Sequence, residues 1–237
     1  ESDKIENIVQ RLVNVPGIIS LSPAQRFRIG KKIAKFDKQD FIELKKSAVK
    51  LFKTEVQNYP TTFKVETTRA DKSFPSKSPE INREIGGEIL QKIESKLNPL
   101  SVDVHQPDHL FEIEIRRGKI YLFLRREAGP GGLPVKSSGK ALVLLSGGID
   151  SPTAAWLGLK RGLSLNAVYF DSPPYTSARA KEKVIDLTKV LSRYGGKINL
   201  QIPYFTEIQQ EILKKCPSRY TVTIMRRMMI RIANKLA

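Results

Sequence analysis

The chain has 237 residues and a formal net charge of +17, from 41 lysines and arginines against 24 aspartates and glutamates. A hydrophobic content of 40% excludes a wholly disordered chain, and a single cysteine excludes a disulfide scaffold. No apolar run reaches the roughly 18 residues of a membrane span, and the N-terminus lacks a secretory signal pattern. We therefore expect a reduced, cytoplasmic protein. The charge favours a nucleic-acid partner, with a basic surface that only aids solubility as the alternative.

The first 28 residues predict a helix followed by a short strand. Apolar residues recur at helical spacing between residues 4 and 13, and Pro16-Gly17 ends this pattern. Residues 18–21 then favour a strand. This order is typical of the second half of a small α+β unit. We therefore expect residues 1–28 to be a partial N-terminal domain whose opening strand is missing.

Residues 29–128 predict a second, mixed α/β domain. Apolar residues recur at helical spacing from Phe41 to Phe52, and residues alternate as in a strand from Thr61 to Thr68. Ser78-Pro79-Glu80 favours a helix start with Ser78 as the cap. Residues 109–116 and 119–126 predict two strands that form a hairpin across Arg117-Gly118.

Residues 129–237 predict a third domain that begins with a glycine- and proline-rich linker at 129–134. Predicted strands at 141–145, 166–170 and 198–202 alternate with helices at 152–161 and 179–194, and a last helix begins at about Thr221. This order indicates a doubly wound parallel sheet whose first strand is buried on both faces. Because no strand closes it, we expect this domain to be incomplete. It carries 17 basic against six acidic residues, more than one nucleotide needs.

The segment Ser146-Gly147-Gly148-Ile149-Asp150-Ser151 lies where the first of these strands turns into a helix. Glycines let a ligand approach the backbone, serine hydroxyls add donors, and the N-terminus of a helix attracts anions. Ligands of such sheets also bind at the carboxyl ends of the strands. The spacing fits neither a Walker A loop nor a Gly-x-Gly-x-x-Gly loop. The segment predicts an anion site, with an ordinary glycine-rich turn as the alternative.

This segment resembles the pyrophosphate-binding loop of the PP-loop ATP pyrophosphatases. With residues 169–177 and 223–229, the latter containing Met225-Arg226-Arg227-Met228-Met229, it is similar to the tRNA 4-thiouridine synthetase family, ThiI. Residues 71–75 and 81–87, with Arg116-Arg117 and Leu124-Arg125-Arg126, resemble the THUMP RNA-binding domain. The resemblance implies a partial ferredoxin-like unit at 1–28, a THUMP domain at 29–128 and an incomplete PP-loop domain of the adenine nucleotide α-hydrolase-like fold at 129–237.

The resemblance also implies an ATP site. Asp150 is the residue whose loss we expect to affect catalysis most. A carboxylate beside polyphosphate is explained by a role in holding Mg²⁺ or in orienting the loop, with a cap for the following helix as the alternative. No site in which the protein alone holds a metal is predicted. The implied ATP-binding residues are Leu144, Leu145, Ser146, Gly147, Gly148, Asp150, Ser151, Tyr169, Phe170 and Arg226.

The RNA-binding candidates are basic residues of the THUMP-like segment. As a set beside Phe74 and Pro75, they favour phosphate and ribose contacts that follow the shape of a tRNA acceptor stem. Taken singly, each is more often a solvated surface charge. The candidates are Lys72, Lys77, Arg83, Arg116, Arg117, Arg125 and Arg126.

The family's activity implies an ATP-dependent tRNA uracil 4-sulfurtransferase. The uridine at position eight of tRNA would be adenylated, and a persulfide charged by a cysteine desulfurase would supply the sulfur of 4-thiouridine. The family also supplies sulfur for thiamine thiazole synthesis. The resemblance further implies a homodimer with no membrane attachment. The family's sulfur-carrying cysteine follows the Met225–Met229 segment, whereas Cys216 precedes it. We therefore expect Cys216 to be structural and this chain alone to be inactive.

Two other functions also fit the residues. The first is a different PP-loop enzyme that modifies tRNA. The second is a non-catalytic tRNA-binding module with a degenerate nucleotide fold. The intact Ser146–Ser151 segment argues against the second function, and failure of the complete protein to bind ATP would favour it.

Overall fold

The computed structural model describes residues 2–28 and 33–237. Residues 22–127 form one compact unit, and the segment up to Leu21 joins residues 128–237 in a second one. We call them the central unit and the terminal unit, after their positions in the sequence. The predicted boundary at 28–29 adjoins residues outside the described part, and the division into three domains stays a prediction.

The helices and strands are numbered in chain order. The first nine are α1 (Ser2–Leu12), β1 (Ser20–Leu21), β2 (Gln25–Phe27), α2 (Lys38–Glu55), β3 (Thr61–Arg69), α3 (Ser78–Ile93), β4 (Leu100–Val102), β5 (His109–Arg116) and β6 (Lys119–Phe123). They are followed by β7 (Glu127–Ala128), β8 (Lys140–Leu144), α4 (Asp150–Lys160), β9 (Ser164–Val168), α5 (Ala178–Gly195), β10 (Asn199–Gln201), α6 (Thr206–Lys215) and α7 (Thr221–Leu236).

The central unit contains a five-stranded sheet in the order β2-β6-β5-β3-β4. Strand β3 pairs in parallel with β4 and β5, whereas β6 pairs antiparallel with β5 and β2. The predicted hairpin joins β5 to β6, where Arg117 and Gly118 have φ angles of 49° and 70°, as a two-residue type I′ turn requires. The hairpin is confirmed, although β6 ends at Phe123 rather than at Arg126.

Helices α2 and α3 pack together and bury one hydrophobic core with the central sheet. Helix α3 buries Ile81, Ile85 and Ile89 at intervals of four residues, the spacing of one helix face. Strand β3 alternates, with Phe63 and Val65 buried between more exposed neighbours. The sequence patterns that predicted these elements are therefore patterns of burial.

The start of α3 differs from the predicted one. The N-cap is Lys77, and Ser78 is already the first helical residue, so the prediction of a Ser78 cap is wrong. The Glu80 carboxylate accepts the Lys77 N–H at 3.3 Å. This acid, three residues after the cap, satisfies a free N–H at the helix start that the serine was expected to satisfy.

The terminal unit contains a parallel three-stranded sheet in the order β10-β9-β8. Helices α4 and α5 follow β8 and β9, so the predicted β-α-β-α-β order and the mixed α/β fold class are confirmed. Helix α6 was not predicted. Ile208, Ile212 and Leu213 recur in it at helical spacing, but the helix has only ten residues, so this pattern is short.

Strand β8 is not buried on both faces, as its apolar run predicted. Its two end residues are exposed and its three central residues are half-buried. The cause is its place in the sheet: among the strands that the structure describes, β8 pairs only with β9 and forms an edge.

The predicted linker at 129–134 is firmly bonded to other parts of the terminal unit. The N–H groups of Gly129 and Gly131 donate to Ile19 O and Ile18 O, both at 2.8 Å. At the other end, the Leu133 N–H donates to Lys160 O at 2.9 Å. These bonds attach the segment after α1 to residues 128–237, and β1 pairs with β7 at the same place. The glycines therefore allow close packing of backbone on backbone.

Candidate functional site

The predicted anion loop, residues 146–151, leaves the carboxyl end of β8 and leads into α4. Leu145 is buried, and its N–H donates to Val168 O at 2.9 Å, so the loop starts from a fixed point of the sheet. Helix α4 begins at Asp150 rather than at the predicted Pro152. The loop therefore lies at the edge of the sheet where ligands of this architecture bind.

The two serines of the anion loop hold it closed. The Ser146 N–H donates to Ser151 Oγ at 2.9 Å, and the two hydroxyl oxygens are 3.1 Å apart. The Gly148 N–H also donates to Ser146 Oγ, at 3.4 Å. These contacts fix a tight turn before any ligand binds, which is the preorganisation that an anion site needs.

Gly147 and Gly148 have no steric reason, among the described residues, to be glycine. Neither has a positive φ. A Cβ built on Gly147 would lie 3.5 Å from Lys183 Cδ, and one on Gly148 would lie 3.6 Å from Ser146 Oγ, both ordinary contact distances. Packing among the described residues therefore does not require glycine at either position, whereas close approach of a ligand to the backbone would.

Asp150 is exposed at the first position of α4. The N-cap is Ile149, which gives the helix no side-chain hydrogen bond, so the alternative in which Asp150 caps the helix is wrong. Within the described part of the chain, the Asp150 carboxylate has no hydrogen-bond or ion-pair partner. It thus has free oxygens for a cation beside a bound phosphate and no bond by which it would orient the loop.

The residues that follow β9 lie next to the anion loop. Tyr169 is only 6% exposed and packs in the same core as Leu145, and its N–H donates to Gln201 O at 2.9 Å. Its hydroxyl is buried and has no partner among the described residues, an unsatisfied polar group of the kind found at binding sites. Phe170 is half-buried, with its ring 5.4 Å from that of Phe205. Of the two predicted side chains, that of Tyr169 is therefore buried and that of Phe170 is partly exposed.

Lys183 is the site residue that sequence reasoning missed. Helix α5 starts at a fixed place because Ser177 caps it and Lys181 pairs with Asp171 at 2.9 Å. The exposed Lys183 then extends along Gly147 of the anion loop. Its charge has no partner among the described residues. Only its place two residues after Lys181, close to the start of the helix that follows β9, could have indicated this.

The remaining predicted ATP-binding residues are less closely connected to the loop. Leu144, at the end of β8, is 41% exposed. Arg226 is exposed on α7, a helix that contacts β8. Within the described ranges, Arg226 makes no side-chain hydrogen bond or ion pair with the anion loop.

Cys216 ends α6, where its N–H donates to Ile212 O at 3.0 Å, and it is half-buried as a free thiol.

The described residues contain no cluster of three or more histidine, cysteine or acidic side chains that could hold a metal ion. Over residues 2–28 and 33–237, the helices are too short or too polar to cross a membrane.

In the central unit, Asp71 brings three of the predicted RNA-binding residues together. Its Oδ2 accepts the Gly118 N–H at 3.1 Å, and its Oδ1 accepts the Ser73 hydroxyl at 2.6 Å. These bonds, that of the Ser73 hydroxyl above all, hold the pKa of Asp71 below its usual value. They tie residues 71–73 to the hairpin beside a depression of about 850 Å³. Its basic lining, which we call the basic hairpin surface, consists of Lys72, Arg116, Arg117 and Lys119.

Further contacts make the basic hairpin surface rigid. The Arg69 guanidinium donates to Ser76 O, and the buried Phe74 packs on the Phe36 ring, with 4.7 Å between centroids. The Arg116 guanidinium stacks over the Tyr121 ring at 5.3 Å. Arg117 stands in the turn and, in the described part of the chain, has no acidic partner.

The other four predicted RNA-binding residues lie outside that surface. Lys77 and Arg83 are exposed near the start of α3. Arg125 pairs with Glu127, and Arg126 pairs with Glu112 through bonds of 2.6 and 3.2 Å. Because a glutamate already neutralises each of these two arginines, they have less charge to offer a phosphate.

Two family models match the chain, one within the central unit and one within the terminal unit. Residues 38–125 match the family model of the THUMP domain, and residues 136–237 match that of the thiamine biosynthesis protein, ThiI. The fold and the anion loop thus define a protein that joins a THUMP domain to a PP-loop-like parallel-sheet domain.

Similar proteins narrow this class further. A probable tRNA sulfurtransferase of Halothermothrix orenii is 55% identical over 237 residues, which are all of this chain and 57% of that protein. Another, of Thermoanaerobacter pseudethanolicus, is 47% identical over 233 residues, or 98% of this chain and 57% of that protein. The crystal structure of a 4-thiouridine synthetase–RNA complex with bound ATP matches with a TM-score of 0.84 and 39% identity, over 96% of this chain and 56% of that one.

The chain therefore spans a little over half the length of the curated relatives that it matches. It belongs to the ThiI family.

Proposed function

We propose that this chain is the THUMP and ATP-binding part of a tRNA sulfurtransferase, which converts the uridine at position eight of tRNA to 4-thiouridine at the expense of ATP. The observation that carries the proposal is the anion loop, a turn that Ser146 and Ser151 hold at the N-terminus of α4 and in which packing among the described residues does not require Gly147 and Gly148 to be glycine. The names of the similar proteins and the bound ATP and RNA of the matching crystal structure support it.

The anion loop fits the phosphates of ATP. Its backbone N–H groups and the exposed N-terminus of α4 supply donors and a positive dipole end, and Ser146 and Ser151 hold their positions. Asp150 is the carboxylate available to Mg²⁺, an ion that is usually held by one or two carboxylates together with substrate phosphates. Bound there, Mg²⁺ would neutralise charge that develops on the leaving pyrophosphate.

The chemistry that this arrangement serves is activation of a poor leaving group. The uracil O4 would attack the α-phosphorus of ATP, and the bond between that phosphorus and the bridging oxygen would break to release pyrophosphate. The outer sulfur of a persulfide would then bond to C4 as the bond from C4 to the AMP oxygen breaks. A second thiol of the complete protein would cleave the S–S bond, which releases 4-thiouridine and leaves a disulfide that an external thiol such as cysteine reduces. The anion loop acts in the first of these steps by binding the pyrophosphate part, so its donors stabilise charge as it develops.

The central unit would hold the tRNA. The basic hairpin surface offers Lys72, Arg117 and Lys119, which have no ion pair in the described part of the chain, on a rigid support, whereas Arg116 already pairs with Glu114 at 3.3 Å. This pattern suits phosphate and ribose contacts better than base-specific ones. A cysteine desulfurase as sulfur donor, a homodimer and a cytosolic location complete the proposal, as the resemblance to the ThiI family implies.

Pyrophosphate release tests the proposed activation step. With the complete protein, an unmodified tRNA transcript, Mg²⁺ and ATP, we expect release that requires both ATP and tRNA. Asp150→Ala should lower the rate at least about a hundredfold, since a group that acts on transition-state charge is commonly worth that much. The matched control is Asp186→Ala, which removes an exposed aspartate of α5 that pairs only with Lys189. Equal release without tRNA, or unchanged release by Asp150→Ala, would contradict the proposal.

A further inference from the structure

A groove of about 450 Å³ runs between α2 and α3 of the central unit. It lies apart from the basic hairpin surface and contains none of the residues predicted to bind RNA. We call it the lysine groove; it is lined chiefly by Lys46, Val49, Lys50, Lys53, Glu88 and Lys92.

The lysines of α2 form a single row. Lys46, Lys50 and Lys53 are four and then three residues apart, which places them on one face of the helix. The core residues Leu44 and Ala48 point away from that face. Because like charges at this spacing destabilise a helix, the row has an energetic cost within the chain.

The described residues do not neutralise this charge. Lys46 pairs with Glu43 at 2.9 Å, but both side chains are exposed, so the pair contributes little. Lys50, Lys53 and Lys92 have no ion pair in the described part of the chain, and Glu88 is the one acid of the lining. The neighbouring Lys45, in contrast, pairs with Glu84 at 2.5 Å and lies over the Phe41 ring. The lining of the groove therefore carries an excess of positive charge.

We propose that the lysine groove binds the sugar-phosphate backbone of tRNA, as a second contact surface besides the basic hairpin surface. Lysine ammonium groups on flexible stems suit phosphates, which they meet as point charges without reading the base sequence. Val49 lies in the same lining and gives the lysine stems an apolar surface to pack on. The proposal rests on the proposed function, because it takes tRNA as the polyanion.

The test is tRNA binding by the full chain with Lys50→Glu and Lys53→Glu combined. The control combines Lys140→Glu and Lys197→Glu, which change the net charge equally. Lys140 begins β8 and Lys197 shortly precedes β10. Both lysines are exposed, and both lie at the edge of the terminal sheet opposite the anion loop. The two glutamates repel each other as the two lysines did, Lys50→Glu gains a pair with Lys46, and Lys53→Glu loses a basic side chain in the last turn of α2. Melting curves of both variants therefore set a temperature at which each is folded, and binding is compared there.

Relative to the control, we expect the dissociation constant for an unmodified tRNA transcript to rise about tenfold or more at 0.1 M salt. The slope of log K against log salt should become shallower by about 1.5, since each phosphate contact contributes about 0.7 to 0.9. A dissociation constant and a salt slope equal to those of the control would overturn the lysine groove as an RNA surface. So would a variant that binds tRNA as the control does and loses only its binding to an acidic protein or to anionic vesicles. If the unchanged chain does not bind tRNA at all, the proposed function fails instead.

Discussion

At the scale of single residues, Lys183 offers the sharpest test of the ATP site. We expect Lys183→Ala to weaken ATP binding by the complete protein about tenfold, because the ammonium beside Gly147 would lose its contact with phosphate. Isothermal titration in the presence of Mg²⁺ measures this. Lys189→Ala, on the same helix but paired with Asp186, is the control and should bind ATP normally. The same dissociation constant for both variants would show that Lys183 has no part in the site.

The Asp71 carboxylate predicts a pH dependence of stability. Hydrogen bonds from Ser73 and Gly118 lower its folded-state pKa below the ordinary value of 3.8. Its contribution to stability is therefore fully present above about pH 4 and is lost as the pH falls through the lowered folded-state pKa. We expect the melting temperature of the unchanged chain to exceed that of Asp71→Asn by a constant amount above pH 4, and by less at lower pH. A difference that stays constant down to pH 2 would refute this role.

At the scale of elements, two glycines predict opposite effects on stability. A Cβ on Gly129 would lie 2.3 Å from the backbone oxygen of Ile18, so Gly129→Ala must displace the segment after α1 and should destabilise the terminal unit by about 1 to 3 kcal/mol. A Cβ on Gly87, within α3, would meet nothing within 4 Å. Gly87→Ala should therefore stabilise the central unit by about 0.5 to 1 kcal/mol.

Urea unfolding measures both changes. Trp156 is the one tryptophan of the sequence and lies in the terminal unit, so its fluorescence reports Gly129→Ala, and circular dichroism follows Gly87→Ala. A stability gain for Gly129→Ala would mean that the 129–134 segment is not held as the structure describes.

The same elements explain how much of the fold and of the candidate site could be predicted from the sequence. The hairpin was predictable because Arg117-Gly118 is a local turn signal, and the anion loop was predictable because Gly147 and Gly148 stand between two strong patterns. Failures arose where partners are distant in sequence. Nothing local in residues 129–134 indicates their bonds to Ile18 and Ile19, and no pattern brings Lys183 to Gly147. The edge position of β8 likewise depends on the whole sheet, not on its apolar run.

At the scale of the whole molecule, the chain divides its chemistry between two units with separate cores. The core of the central unit uses residues between 27 and 124, and that of the terminal unit uses residues between 135 and 202. The two surfaces proposed to bind RNA belong to the central unit, and the anion loop belongs to the terminal unit. The proposed function needs both, because activation of a tRNA base requires RNA and nucleotide on one enzyme.

Formation of 4-thiouridine tests that central claim most directly. The complete protein would be incubated with an unmodified tRNA transcript, ATP, Mg²⁺, cysteine and a cysteine desulfurase, and the near-ultraviolet absorbance of the tRNA would be followed. We predict absorbance of 4-thiouridine that requires ATP, disappears with Asp150→Ala and persists with Asp186→Ala. Formation of 4-thiouridine without ATP, or at an unchanged rate by Asp150→Ala, would contradict the account.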